Sequence, residues 1–320
     1  MKFRRGATLC TPGPASYGWR QVEQQDERTD RMAGHHVIPP GATDCHTHVF
    51  LDPVRFPMSP ARRYTPPPAP LEALQAWHRA LGIKRVVIVQ PSVYGTDNRA
   101  TLDALRRLGP RRARGVAVID EATSDAELRD LAAAGVCGVR VNLEIDAERD
   151  RRRAQDALRR VVDRVAPLGW HIQVYADVAL IGACHAVLEQ VPVPLVFDHF
   201  AGARAGAGLH QQGMAEVADL VRRGKAYVKL SAPYRQSERD DYEDLESLTR
   251  FLVACHPQRM LWGSDWPHPR PGVHAAGQLS PPYEVDLDHV VNALCRWVAD
   301  PAVVRQILVD NPGRLYGFDP

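Results

Sequence analysis

The sequence predicts a single (β/α)8 barrel of the α/β class, and three observations carry that prediction. Short β-branched runs alternate with longer amphipathic segments from Thr43 almost to the end of the chain. Eight such runs can be counted, with no Pro/Gly-rich linker dividing them. No G-x-G-x-x-G follows the first run, which argues against an open dinucleotide-binding sheet. At 320 residues, 45% hydrophobic and 24% charged, the chain is long enough to bury one core of this size.

Taken in order, residues 1 to 40 are rich in Gly, Pro, Gln and charge without an apolar period, and are expected to form a disordered or loosely draped arm before a barrel domain of residues 41 to 320. The strands are then "ATDCHTHVF", "KRVVIVQ" (84 to 90), "RGVAVI" (114 to 119), "CGVRVN" (137 to 142), "WHIQVY" (170 to 175), "PLVFDH" (194 to 199), "AYVKLS" (226 to 231) and "RMLWGSD" (259 to 265). Between them lie helical patterns such as "PLEALQAWHRALG", "NRATLDALRRLG", "SDAELRDLAAAG", "RRRAQDALRRVVDRVAPLG" and "YEDLESLTRFLVACHP". Several end in the glycine expected just past a helix C-terminus.

The net charge of +2 is too mild to imply a nucleic-acid or membrane partner. The positive charge is almost all arginine, which in a cleft favours carboxylates held bidentately. The six cysteines are scattered without a CxxC pair and read as reduced thiols. The N-terminal residues lack the apolar core of a signal peptide, and no segment has the ~18 apolar residues that span a membrane, so a cytoplasmic location is expected.

In such a barrel the site lies at the C-terminal ends of the strands. His46 and His48 end the first strand, Ser92 follows the second, Arg140 and Asn142 end the fourth, and Tyr175 ends the fifth. His199 ends the sixth, Ser231 and Arg235 the seventh, and Asp265 the eighth. Residues two apart on a strand share a face, so His46 and His48 are expected to enter the mouth together while Cys45 and Thr47 face the helices. By the same alternation His199 faces the pore and Asp198 points away from it, as a structural residue. His46, His48, His199 and Asp265 thus converge on one mouth, as catalysis on a polarised carbonyl requires. The remaining histidines fall in loops, strand starts or helices and read as surface or packing residues, with His268 intermediate.

These residues resemble the amidohydrolase superfamily, and within it the 2-pyrone-4,6-dicarboxylate lactonase-like group. The resemblance runs from "DCHTHVF" through "RRYTPPPAPLEAL", "VVIVQPSVYGTDNRATLDAL", "GVRVN", "WHIQVY", "FDHFAG" and "LWGSDWPHP" to "NPGRLYGF". It implies a distorted (β/α)8 TIM barrel that adds water to a lactone ester. It makes Asp265 the general base, sets His46, His48 and His199 around the carbonyl oxygen, and places Tyr64, Ser92, Arg140, Tyr175 and Arg235 against substrate carboxylates. One departure stands out. The family's arginine soon after the sixth-strand histidine is replaced by Gly202, and Arg204 is the first arginine to follow.

Binuclear relatives of this kind carry a lysine or glutamate after the fourth strand and a histidine after the fifth, where this chain has Arg140 or Asn142 and Tyr175. No cofactor is therefore expected. The alternative is one Zn2+ held by His46, His48, His199 and Asp265, since three nitrogens and an oxygen suit zinc. The leading expectation is a hydrolase of a small anionic lactone, acting as a monomer or homodimer. A metal-dependent decarboxylase of the same superfamily is the alternative, and a sugar-acid binding module without turnover is a third reading that leaves Asp265 and the histidines without a purpose.

Overall fold

The computed structural model describes residues 38–143, 150–270, 272 and 278–318. The expected N-terminal arm lies outside the described residues as far as residue 37. The eight strands are β1 Thr43–Thr47, β2 Arg85–Val89, β3 Ala113–Ala117, β4 Val136–Asn142, β5 His171–Tyr175, β6 Leu195–Phe197, β7 Ala226–Ser231 and β8 Met260–Gly263. They are parallel, pair in the order β1 to β8, and form a nearly closed barrel with helices on its outside. The (β/α)8 TIM-barrel expectation is met, with β6 and β8 ending earlier than the apolar runs suggest.

The helices form where apolar spacing and caps agree. In Leu71–Leu81 the residues Leu71, Leu74 and His78 form one buried stripe, and Gly82 ends the helix in the left-handed conformation. Ser124 and Glu127 make a reciprocal capping box at the start of Asp125–Ala133, and Asp177 caps Val178–Ala183 through the amide of Leu180.

Two apolar clusters divide the molecule. The larger lies between strands and helices. The smaller fills the barrel, with Val87, Val89, Val116, Val196, Tyr227 and Leu261 meeting Tyr316 and Phe318 from the C-terminal end of the chain. Hydrophobic packing thus occupies the lower barrel and leaves the mouth to polar groups.

The barrel closes at β1 and β8. Asp265 N donates to His46 O at 2.9 Å, and His48 N to Trp266 O at 2.8 Å. Asp44 reinforces this seam from the outer face. Its carboxylate accepts from Ser264 N at 2.9 Å, Ser264 Oγ at 2.6 Å, His78 Nε2 at 3.2 Å and His46 N at 3.2 Å. A Cβ on Gly263 would sit 2.6 Å from His46 Cβ, so the close approach of the two strands requires glycine there.

Candidate active site

The C-terminal mouth gathers the residues that the sequence singled out. His48, Tyr64, Ser92, Arg140, Asn142, Tyr175, His199, Arg235 and Asp265 all line one small pocket of about 20 Å³. His46 is fully buried behind it. A larger space of about 250 Å³ shares Ser92 and Asn142 with this pocket and is also lined by Arg62 and Arg63.

Two local breaks in strand alternation bring more polar groups inside than a period of two allows. The register of β1 against β2 shifts between Asp44 and Thr47, a bulge-like irregularity that turns consecutive residues to one side. His46 and His48 enter the mouth as expected, but Cys45 packs inside the barrel with Val87 and Tyr227 and does not face the helices. At the end of β6 the backbone of His199 is left-handed, with φ 48° and ψ 68°. Asp198 and His199 therefore both point inward, which corrects the expectation that Asp198 faces away. For non-glycine residues such a backbone is strained, and Asp265 with φ 58° and His268 with φ 60° share it.

Asp198 is the hub of the lower site. Its Oδ2 accepts from Arg140 Nε at 3.0 Å and Gln173 Nε2 at 2.9 Å. Its Oδ1 lies 3.2 Å from His46 Nδ1 and 3.5 Å from Lys229 Nζ. Burial alone would raise this carboxyl, but His46, Lys229 and Arg140 together hold it well below the usual range. Asp265 is the hub of the upper site. Its Oδ2 accepts from Tyr234 at 2.6 Å and from Arg235 Nε and Nη2 at 3.1 Å each. Among the described residues its Oδ1 has no hydrogen-bond partner, and it lies 3.4 Å from His48 Nε2 and 3.6 Å from His46 Nε2. Against the effect of burial, chiefly Arg235 and then His199 keep Asp265 ionised well below the usual range.

The histidines differ in what they present. His48 Nδ1 lies 2.8 Å from the Val89 carbonyl, which only accepts, so the neutral ring turns a lone pair at Nε2 into the pocket. His48 can donate there only when its ring carries both protons. His199 Nδ1 bonds the Ser231 hydroxyl at 2.9 Å, and burial pushes the ring down to about 4. His46 is held well below its ordinary value by burial and by Lys229, so it too is neutral near pH 7.

The atoms His46 Nε2, His48 Nε2 and Asp265 Oδ1 lie within 4.8 Å of one another and could hold a metal ion. Two of them are buried without a hydrogen-bond partner, and the Nδ1 of His48 is anchored on a carbonyl in the manner of a ligating imidazole. The donor set fits one zinc.

Three contributors escaped the sequence reading: Lys229, Gln173 and Tyr234. Lys229 carried a signal, since it stands two residues before Ser231 in an otherwise apolar strand and so on the same face. Gln173 stands in the same relation to Tyr175. Tyr234 precedes Arg235 in a short helix, Pro233–Gln236, and had no periodic signal.

A family model described as amidohydrolase matches residues 43–318. The chain is 35% identical over 290 residues to a 4-sulfomuconolactone hydrolase of Rhizobium radiobacter, covering 88% of this chain and 91% of that protein. It is 34% identical over 293 residues to a 2-pyrone-4,6-dicarboxylate hydrolase of Comamonas testosteroni, covering 87% and 91%. Among solved structures, an Acinetobacter baumannii protein described as a "probable 2-pyrone-4,6-dicarboxylic acid hydrolase", with citric acid bound, superimposes with a TM-score of 0.70 at 25% identity, covering 87% of this chain and all of that one.

Proposed function

The chain belongs to the amidohydrolase family, and from that premise we propose that it hydrolyses the ester bond of a small carboxylate-bearing lactone. The observation that carries the reading is Asp265: three donors fix one of its oxygens, and the other stands unbonded in the pocket lined by Arg140 and Arg235.

In this reading Asp265 Oδ1 takes a proton from water as the water oxygen attacks the lactone carbonyl. The pocket of about 20 Å³ has room for such a water, with the substrate extending into the adjoining space over Ser92 and Asn142. His46 and His199 donate to the carbonyl oxygen as it gains charge. His48 lies beside the base, where its Nε2 lone pair faces the same water. The ring C–O bond then breaks, and the leaving oxygen recovers the proton from Asp265 to give an open hydroxy acid or its keto tautomer.

The charge inside the mouth supports an anionic substrate. Arg140, Arg235 and Lys229 stand against Asp198 and Asp265, leaving one positive charge uncompensated. Arg140 presents its guanidinium over the Tyr175 ring at 5.0 Å, with its Nε already tied to Asp198. Tyr64, Ser92, Tyr175 and Asn142 complete the wall that would hold the carboxylate. The curated relatives act on muconolactone- and pyrone-type substrates by name, and the citric acid in the Acinetobacter baumannii structure is a carboxylate ligand. The lyase alternative has no comparable support.

We propose that turnover needs no metal. The positive surplus opposes a dication, and a lactone carbonyl is electrophilic enough for histidine donors. Were a zinc bound by His46, His48 and Asp265, with His199 outside that group, it would supply Lewis-acid polarisation of the carbonyl. We propose a cytoplasmic location and a monomer or homodimer. Among the described residues no helix is long and apolar enough to cross a membrane.

A panel of carboxylated lactones tests the reading, with product analysis and a parallel chelator arm. Release of a hydroxy acid, retained after chelation, is the expected result. Carbon dioxide as product would overturn the hydrolase, and activity lost with one zinc per chain would overturn the metal-free reaction.

A further inference from the structure

Lys229 is a buried cation to which the reaction above gives no step. It lies on the inward face of β7 with a relative exposure of 0%. Burying an ammonium costs several kcal/mol unless acceptors and opposite charge offset it. Its Nζ lies 2.7 Å from Gln173 Oε1, 3.3 Å from His46 Nδ1 and 3.5 Å from Asp198 Oδ1. An ammonium has three protons and no acceptor. Two of these contacts are hydrogen bonds and the contact with Asp198 is an ion pair, so His46 Nδ1 serves as an acceptor, provided that it carries no proton itself.

The other assignment would put the ring proton on Nδ1 and give it to Asp198 Oδ1, 3.2 Å away. Two observations oppose it. Asp198 Oδ1 is a buried oxygen with no hydrogen-bond partner, so that contact lacks hydrogen-bond geometry. An N–H at Nδ1 would also turn its positive end toward an ammonium 3.3 Å away. Gln173 removes the remaining freedom. Its Nε2 is committed to Asp198 Oδ2 at 2.9 Å, so its carbonyl oxygen is the atom offered to Lys229.

We infer that Lys229 sets the tautomer of His46, donating to Nδ1 and so keeping the ring proton on Nε2, the nitrogen that faces Asp265 and the pocket. Lys229 is then a positioning residue that acts through His46. The two histidines of the H-x-H pair present opposite faces: His48 anchors its Nδ1 proton on Val89 O and offers a lone pair, while His46 offers a proton. The inference deepens the hydrolase reading and rests on it for the role of that proton.

The test is a long-range proton–nitrogen correlation spectrum of histidine-labelled enzyme without substrate, with the His46 signals identified by their loss in His46→Gln. The wild type is expected to show a neutral ring protonated at Nε2. In Lys229→Met no ammonium opposes a proton on Nδ1, and the proton is expected to move there, on the side of the Asp198 carboxylate. With that change kcat falls by roughly tenfold to a hundredfold while KM stays within about twofold. A wild-type ring protonated at Nδ1, or the same tautomer in both proteins, overturns the inference. The wild-type spectrum decides even if Lys229→Met does not fold. It is also independent of turnover, so a wild-type enzyme that opens no lactone defeats the hydrolase reading and leaves the tautomer result standing.

Discussion

The Tyr234 hydroxyl donates a 2.6 Å hydrogen bond to Oδ2 of Asp265, the oxygen that also receives two bonds from Arg235. Loading every donor on one oxygen makes the carboxylate asymmetric, and only the other oxygen is free to take a proton. Asp265→Asn removes that acceptor while keeping its shape, so kcat is expected to fall by roughly a hundredfold to ten-thousandfold with the fold retained. Steady-state kinetics beside circular dichroism check this, and a fully active variant would refute the assigned base.

Tyr234→Phe removes a donor to the ionised form of Asp265, and a carboxylate that loses such a donor becomes easier to protonate. The acid limb of the kcat/KM profile is therefore expected to move to higher pH in the variant. An unchanged limb would mean that the tyrosine does not tune the base.

Arg140 and Arg235 are expected to respond differently to truncation. Arg140 touches no group assigned to the chemical step, so Arg140→Ala should chiefly raise KM, by roughly tenfold to a hundredfold. Arg235 also holds Asp265, so Arg235→Ala should lower kcat and raise KM together. Equal kinetic signatures for the two variants would contradict this division.

Acid stability follows from three buried histidines. Burial pushes His171 down to about 3, and His199 and His268 down to about 4. The unfolded chain takes up those protons at the ordinary value of 6.5, before the fold does, so acid favours unfolding. The loss begins near pH 6.5 and grows toward pH 4, at up to about 1.4 kcal/mol per histidine per pH unit. Asp198 and Asp265 are depressed in the fold, so their contribution is intact above the ordinary carboxylate range and is lost only below it. Scanning calorimetry should give a midpoint that declines below pH 6.5, and a midpoint unchanged down to pH 5 would exclude the account.

The resemblance to the pyrone lactonase-like group implies an arginine at the position of Gly202, and the backbone there accounts for the glycine. At φ 69° a Cβ would lie 2.1 Å from Ala176 O and 2.7 Å from Asp177 Cα. Gly202→Ala is expected to cost about 2 kcal/mol or more and to lower the thermal midpoint. A variant as stable as the wild type would reopen this position to an anion-binding side chain.

The barrel was legible because its strands are apolar runs of ordinary length, and the site because polar residues end those runs. His46, His48, His199 and Asp265 needed nothing more. What escaped reading depended on exceptions to strand alternation. The register shift in β1 turned Cys45 inward, and the left-handed backbone at His199 brought that histidine to the same side as Asp198, which follows the inward Val196 by two. Such breaks are properties of the packed barrel and leave no periodic trace. Tyr234 reaches Asp265 from a one-turn helix, and partnerships of that kind are set by tertiary approach.

The Asp44 clamp bears on the order in which the enzyme can come into being. Asp44 and Ser264 are 220 positions apart, and their bonds hold the seam between the first strand and the last. A ribosome delivers the histidine pair more than 200 residues before the carboxylate that completes it. A nascent chain therefore lacks the site until Asp265 has been made, and the site comes into existence in the step that seals the barrel.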